Sequence, residues 1–217
     1  MMSKNNTKIL SPIIPKELSV LKFQEENILD EMSFSEVILN DCHIENCKAD
    51  RVSFDKTVFK NVKFSNTLLE HSEFINVRFE NCDLSNTDFM ESSIHRAEFI
   101  NCKLVGINLS ESTLRNVVFN GCSGRYGSFR FTDCRQVLFN NCDFGFSDFQ
   151  DSKFLKVEFK NTDMTQCQFF GIGLEGIDFR SCKIDGMSAR IEDVKGIVVT
   201  PIQAISISKL LGIIIKE

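Results

Sequence analysis

A chain of 217 residues with 42% hydrophobic and 25% charged content is long enough to bury one sizeable core or to stack one repeat array. Its net charge of −5 and pI near 5.4 exclude a basic surface that holds phosphates, so no direct nucleic-acid partner is expected. Phe supplies 21 residues while Tyr occurs once and Trp is absent, so some feature of the architecture selects a flat, wholly apolar ring.

Residues 1–33 read as a tail and a capping segment. The opening MMSKNNTKILSPIIPKELSV has no continuous apolar core of the signal-peptide kind, and no apolar run is long enough for a bilayer. The expectation is a cytoplasmic protein with no membrane partner. The first fourteen residues read as a loose tail. PKELSVLKFQEENILD, with Leu18, Leu21 and Ile28 among charges, reads as a short amphipathic cap over the open edge of a repeat array.

Residues 34–191 carry an internal period of five. Starting at Phe34, every fifth residue through Phe54, Phe79, Phe99 and Phe149 to Ala189 is apolar or small; these 32 positions hold 17 of the 21 Phe. The positions two residues earlier, such as Val62, Thr67, Ser72, Val77 and Cys82, are small or β-branched, and they hold eight of the nine cysteines. Neither a helix nor a strand keeps residues five apart on one side, so the chain must turn once per pentapeptide. A second period of twenty lies over the first. One column reads Leu39, Phe59, Phe79, Phe99, Phe119, Phe139, Phe159, Phe179, and an asparagine column reads Asn61, Asn81, Asn101, Asn141, Asn161. Four turns per coil, with like residues stacked on like, predict this pattern.

VRFEN, CDLSN, TDFME and CQFFG fit the consensus of the pentapeptide-repeat family, which residues 34–191 resemble throughout. The resemblance implies an all-β solenoid: a right-handed quadrilateral β-helix of about eight coils, with a short N-terminal cap and a C-terminal helix. Eight coils at roughly 4.8 Å make a rod of about 38 Å.

Residue types that could carry chemistry have blander readings here. Nine cysteines without a CxxC pair exchange freely with Val, Thr and Ser at their column positions, so they read as small hydrophobes rather than as disulfides or metal ligands. His43, His71 and His95 fall outside the inward columns and read as solvated. No Gly-rich phosphate loop, HExxH or GxSxG occurs. No catalytic residue, cofactor or metal site is expected, and the protein reads as no enzyme.

The outward positions remain. On the side with centres Leu69 to Phe169, Glu70, Asp88, Glu91, Glu111, Asp148 and Asp151 face only Arg130, while the other sides are nearly balanced. In SGRYGSFRFTDCR the central positions fall to Gly124 and Cys134, and Tyr126 and Phe131 take outward columns, with Phe146 twenty residues beyond Tyr126. That stretch reads either as a local narrowing of the coil or as a partner contact through Tyr126, Arg130, Phe131 and Phe146, since exposed aromatics and Arg favour interface hot spots.

Residues 192–217 close the chain. Thr200 as N-cap, Pro201 at the first helical position and Gly212 after the last predict a helix of about eleven residues. Ile213 to Ile215 read as a terminal strand. The apolar set Ile202, Ile205, Leu210, Leu211, Ile213, Ile214 and Ile215 exceeds what a lid requires, and suits a two-fold contact between copies better than a monomer with a folded-back lid.

The ending VTPIQAISISKLLGIII and the start IPKEL resemble the Qnr-type members of the family. That resemblance implies a homodimer that imitates duplex DNA, binds DNA gyrase or topoisomerase IV, and counteracts fluoroquinolones. The uninterrupted array is similar to the loop-free branch; many Qnr members carry projecting loops that contribute to protection, so the resemblance implies topoisomerase binding more than it implies protection from the drug. The alternative is a non-catalytic scaffold for another cytoplasmic protein.

Overall fold

One residue in every five adopts the left-handed backbone conformation, and this makes the coil. The computed structural model describes residues 8–22 and 28–216. Corner residues from Glu31 (φ 61°) through Asn81 (φ 54°) and Asn101 (φ 52°) to Gln166 (φ 57°) all have positive φ. Asn recurs there because its short polar side chain tolerates this region better than most. The column also forms a ladder of its own. Asn61 Nδ2 donates to Asp41 Oδ1 at 2.8 Å, and Asn161 Nδ2 to Asn141 Oδ1 at 3.2 Å.

Four flat sides join at these corners. Face one has centres Phe34 to Phe154, face two Leu39 to Phe179, face three Ile44 to Ile184 and face four Ala49 to Ala189. Faces one and two merge into parallel strands, Glu73–Glu80, Ser93–Ile100, Thr113–Asn120, Asp133–Asn140 and Lys153–Lys160, each twenty residues beyond the last in register. Faces three and four are narrower and end in β-turns, as where the Thr87 N–H donates to the Leu84 carbonyl at 3.2 Å. Positive φ at the third turn residue, Asn86, fits a type II turn.

The result is a parallel β-solenoid of about seven turns, one fewer than the eight expected. The shortfall lies at the ends. Phe34 is only half-buried on the first rung, and beyond Lys160, where Gly171, Gly173 and Gly176 enter the coil, no further strand forms among the described residues.

Inside, the face-two phenylalanines stack as a column. Ring centroids lie 4.6 Å apart for Phe59 and Phe79, 4.7 Å for Phe79 and Phe99, and 4.8 Å for Phe99 and Phe119, with planes within 15° of parallel. Rungs spaced as in any sheet deliver this offset stacking without further adjustment. Phe129, Phe149 and Phe169 repeat it on face four.

The small-residue columns do more than fill space. Ser112 Oγ donates to the Phe89 carbonyl at 2.8 Å, Thr132 Oγ1 to Leu109 at 2.8 Å, and the Cys82 and Cys102 thiols to Phe59 and Phe79 at 3.4 Å. Each ties a coil to the one before it, so a short side chain carrying a weak donor suits the site, and Cys supplies one. All nine cysteines are free thiols. Burial raises the Cys134 thiol and pushes Cys167 up to about 12, which keeps both protonated and unreactive.

At Gly124 the coil does not slip. Ser123 bridges Asp143 and Ser128 bridges Asp148 in the ordinary register. The Phe144 ring occupies the space that a side chain at Gly124 would take, and packs edge-on to Phe139 at 5.0 Å. Core volume is borrowed from the next rung rather than lost.

The ends correct three expectations. Residues 8–14 of the expected loose tail are held along the rod by hydrogen bonds to Asn76, Asn116 and Gln136, while residues 1–7 lie outside the described residues. In the capping segment, Ser19–Val20 pairs as a strand with Val37–Ile38, Leu21 and Ile28 reach the core, and residues 23–27 lie outside the described residues. At the other end, helix α1 (Pro201–Ser208) continues as a tighter turn over Lys209–Leu211 to Gly212, which has φ 72°. Thr200 and Gln203 form a reciprocal capping box, and Gln203 Nε2 donates to the Phe179 and Cys182 carbonyls at 2.8 Å. Residues 213–215 form no strand, because no ladder edge lies beside them. Leu210 packs on the core instead of standing outward with the rest of its set.

Phe119→Ala removes a ring stacked on both sides and should lower the unfolding free energy by about 3–5 kcal/mol in urea titrations. Gly124→Leu restores the repeat consensus, yet it should also destabilise the protein, because Phe144 already fills that volume.

Candidate protein-interaction face

Face four collects both groups of residues that the sequence singled out. Its rungs run Leu68, Asp88, Asn108, Ser128, Asp148, Gln168, each bridged to the next. One flanking corner carries Asn86, Gly106, Tyr126, Phe146 and Gln166; the other carries His71, Glu91, Glu111, Phe131 and Asp151. The acidic residues and the aromatic cluster are therefore neighbours on one surface, the acids toward the N-terminal coils and at Asp148 and Asp151, with the rings between.

Geometry divides the six carboxylates. Asp88 accepts from the Met90 N–H at 2.9 Å and from Asn108 Nδ2 at 3.0 Å. Asp148 accepts from the Gln150 N–H at 2.9 Å and pairs with Arg130 at 3.1 Å. These two shape the face. Glu91 lies 3.4 Å from His71 Nε2. Glu70, Glu111 and Asp151 make no side-chain hydrogen bond or ion pair among the described residues, and Glu91 and Glu111 are exposed at the corner.

The aromatics occupy costly positions. Tyr126 (φ 62°) and Phe146 (φ 64°) stand at a left-handed corner where Asn and Gly otherwise recur, Phe131 (φ 57°) at one otherwise held by charged residues and by His71 and Gly171, and Tyr126 and Phe131 are 59% and 53% exposed. An aromatic side chain in this region is unfavourable, and on the surface it gains no core packing in return. Tyr126 and Phe146 stack at 5.1 Å. Arg125, which sequence reasoning passed over, lies 4.7 Å from the Phe146 ring and 3.2 Å from Asp143; Arg130 lies 5.6 Å from Phe131. Both Arg–Asp pairs are eighteen residues apart, a spacing visible in the sequence once the coil is known. A shallow groove of about 660 Å³ continues from Tyr126 and Phe146 past Gln166, Gln168 and Phe170.

The C-terminal set forms another exposed apolar surface. Ile202, Ile205, Leu211, Ile213, Ile214 and Ile215 all stand out from α1 and the segment after it. Among the described residues no three His, Cys, Asp or Glu side chains are grouped to hold a metal ion, and no helix is long and apolar enough to cross a membrane.

A family model described as a pentapeptide repeat region matches residues 25–77 and 72–149. The chain belongs to the pentapeptide-repeat family. No curated protein matches it. Among solved structures, it is similar to a trypsin-treated form of QnrB1, a plasmid-mediated fluoroquinolone resistance protein, at 15% identity over 92% of this chain and 99% of that one, with a TM-score of 0.42. It is also similar to HetL, a pentapeptide repeat protein involved in heterocyst differentiation regulation from the cyanobacterium Nostoc, at 12% identity over 78% and 90%, with a TM-score of 0.47. A third, Rfr23 from the cyanobacterium Cyanothece, shares 9% identity over 73% and 91%, with a TM-score of 0.22.

Two histidines of this pentapeptide-repeat chain sit in opposite fields. His71 Nδ1 lies 2.6 Å from Asp50 Oδ1, and that hydrogen bond, outweighing desolvation and helped by Glu91, raises its pKa. Burial first, then Arg96 and Arg115, lower that of His95. An imidazole NMR titration should therefore place His71 above and His95 below the ordinary value of about 6.5. The raised His71 value adds stability that is complete below its unfolded pKa and is lost as pH rises through the folded one. Glu91→Gln should bring the His71 midpoint down.

Phe131→Asn relieves the left-handed strain and should raise stability by roughly 1 kcal/mol in thermal or urea unfolding. The same change should weaken any partner bound at face four.

Proposed function

We propose that this chain is a non-catalytic interaction protein that binds a type II topoisomerase, DNA gyrase or topoisomerase IV, through face four, and that it modulates fluoroquinolone action. The juxtaposition of exposed carboxylates with strained, Arg-flanked aromatics on one face of a rod carries this reading. A surface that binds DNA presents cations, and Glu91, Glu111 and Asp151 on one corner column, with Phe131 between the last two, offer them anions. The rings supply the buried contact that charge alone does not. Duplex DNA carries one charge per roughly 1.7 Å, far denser than this face, so this reading rests on a few placed carboxylates rather than on matched charge density. The resemblance of the two chain ends to Qnr-type members supports the choice of target.

The same reading makes the protein a homodimer joined at its C-terminal ends. Gln203 and the inward Leu210 fix α1 on the last rungs, so Ile202, Ile205, Leu211 and Ile213 to Ile215 form a presented surface. A second copy of that surface is self-complementary about a two-fold axis.

A scaffold for another cytoplasmic protein is the second reading. The engagement of Asp88 and Asp148 within the face favours it, because those acids are spent on local structure.

A gyrase supercoiling assay with ciprofloxacin decides between them. The protein should change the drug concentration at which supercoiling fails. Charge reversal at Glu91, Glu111 and Asp151 should weaken the effect by about tenfold with unchanged circular dichroism. No effect with or without the drug, on either topoisomerase, would overturn the proposal.

A further inference from the structure

Residues 8–14 run along the solenoid rather than around it. Gln136 Nε2 donates to the Lys8 carbonyl at 3.1 Å, the Leu10 N–H donates to Asn116 Oδ1 at 3.1 Å, and the Ile13 N–H donates to Asn76 Oδ1 at 3.2 Å. These partners belong to one column, the corner between faces one and two, which in rung order reads Lys56, Asn76, Arg96, Asn116, Gln136, Lys156. From Gln136 to Asn76 is three rungs, roughly 14 Å, and five residue steps of extended chain reach about 16 Å. The strap is thus nearly extended, directed back toward the first coil.

Its mode of attachment is that of a bound peptide. All three contacts use the strap's backbone and the column's amide side chains, so they ask for an extended chain more than for a particular sequence. Ile9, Pro12 and Ile14 are half-buried, while Lys8, Leu10, Ser11 and Ile13 are exposed. Asn116, which receives the Leu10 N–H, is buried to 7% exposure.

The middle of this site is unsatisfied. Arg96 stands between Asn76 and Asn116, so the strap crosses its rung with Ser11 and Pro12. Among the described residues, Arg96 Nε is buried without a hydrogen-bond partner, and a buried donor without an acceptor is costly. Around it, face one carries Arg96, Arg115, Arg135, Lys153 and Lys156 against Asp133 between residues 93 and 156. Burial first, and then the charges of Arg96 and Arg115, lower the pKa of His95 beside it.

We propose that the corner between faces one and two is a peptide-binding site, and that the chain's own strap is its resident but imperfect occupant. The partner it fits is an extended protein segment with apolar residues at the Ile9 and Ile14 positions and, in place of Ser11 on the Arg96 rung, a side chain long enough to bring a carboxylate to that guanidinium. This site lies diagonally across the rod from the corner of Tyr126 and Phe146, and it does not depend on the topoisomerase reading.

Two measurements on the full-length chain test it. Hydrogen exchange should show protected Leu10 and Ile13 amides, which Asn76→Gly with Asn116→Gly should release, since Gly keeps the left-handed corner and removes both acceptors, together with the 3.3 Å bond from Asn76 Nδ2 to Asp55 Oδ1. Fluorescently labelled KILSPIIP and KILEPIIP are then titrated onto chain carrying Ile9→Ser and Ile14→Ser, changes that loosen the strap and leave the corner intact. The glutamate peptide should bind about tenfold more tightly, the gain of one charge-assisted pair. Arg96→Gln should erase that difference, and the two Asn→Gly changes should abolish binding of both. Unprotected strap amides, equal binding of the two peptides, no binding of either, or equal displacement by polyglutamate would each overturn the proposal.

Discussion

The left-handed corner is the constraint on which everything else rests. A positive φ at every fifth residue turns the chain before a strand can extend, and four such turns return it to its starting point one rung higher. Once the rung closes, identical positions must stack, and a phenylalanine at one centre finds a phenylalanine at the next. The aromatic column, the asparagine ladder and the thiol-to-carbonyl contacts are consequences of that geometry. They strengthen the coil; they do not set its circumference.

Because the corner demands a backbone state that few side chains favour, it also sets apart the residues that occupy it at a cost. Asn61, Asn81, Asn101 and Asn141 sit easily at corners, whereas Tyr126, Phe131 and Phe146 sit there under strain and in contact with solvent. Their neighbours are arginines paired with aspartates one coil on, which hold the guanidinium groups close to the rings. The rod thus presents two chemically distinct sides. Face four offers acids and rings, and the far corner offers amides and cations beneath the strap.

The range of each interaction decided whether the sequence disclosed it. The core column from Leu39 to Phe179 was legible because repetition multiplies a local preference until it cannot be mistaken. The helix after Thr200 was legible because its signals, a cap, a proline and a closing glycine, are all local. The strap was not, since the partners Leu10 and Asn116 are 106 residues apart and nothing near Leu10 announces the pairing. Residues 213–215 resembled a strand in composition, but a strand also needs an edge to pair with. At Gly124 the repeat consensus suggested lost volume, while the ring that replaces it comes from the next coil. In the candidate face, the individual acids and aromatics were readable; Arg125 and the bridge from Asp50 through His71 to Glu91 required the fold.

A rod with two unlike sides gives its partners a choice, and the central claim is that a topoisomerase takes face four. A hydrogen-exchange footprint of the full-length protein with purified gyrase tests this most directly. Added protection should appear in the segments 86–91, 106–111, 126–131 and 146–151, the successive face-four rungs. Protection confined to faces one and two, or none at saturating gyrase, would contradict it.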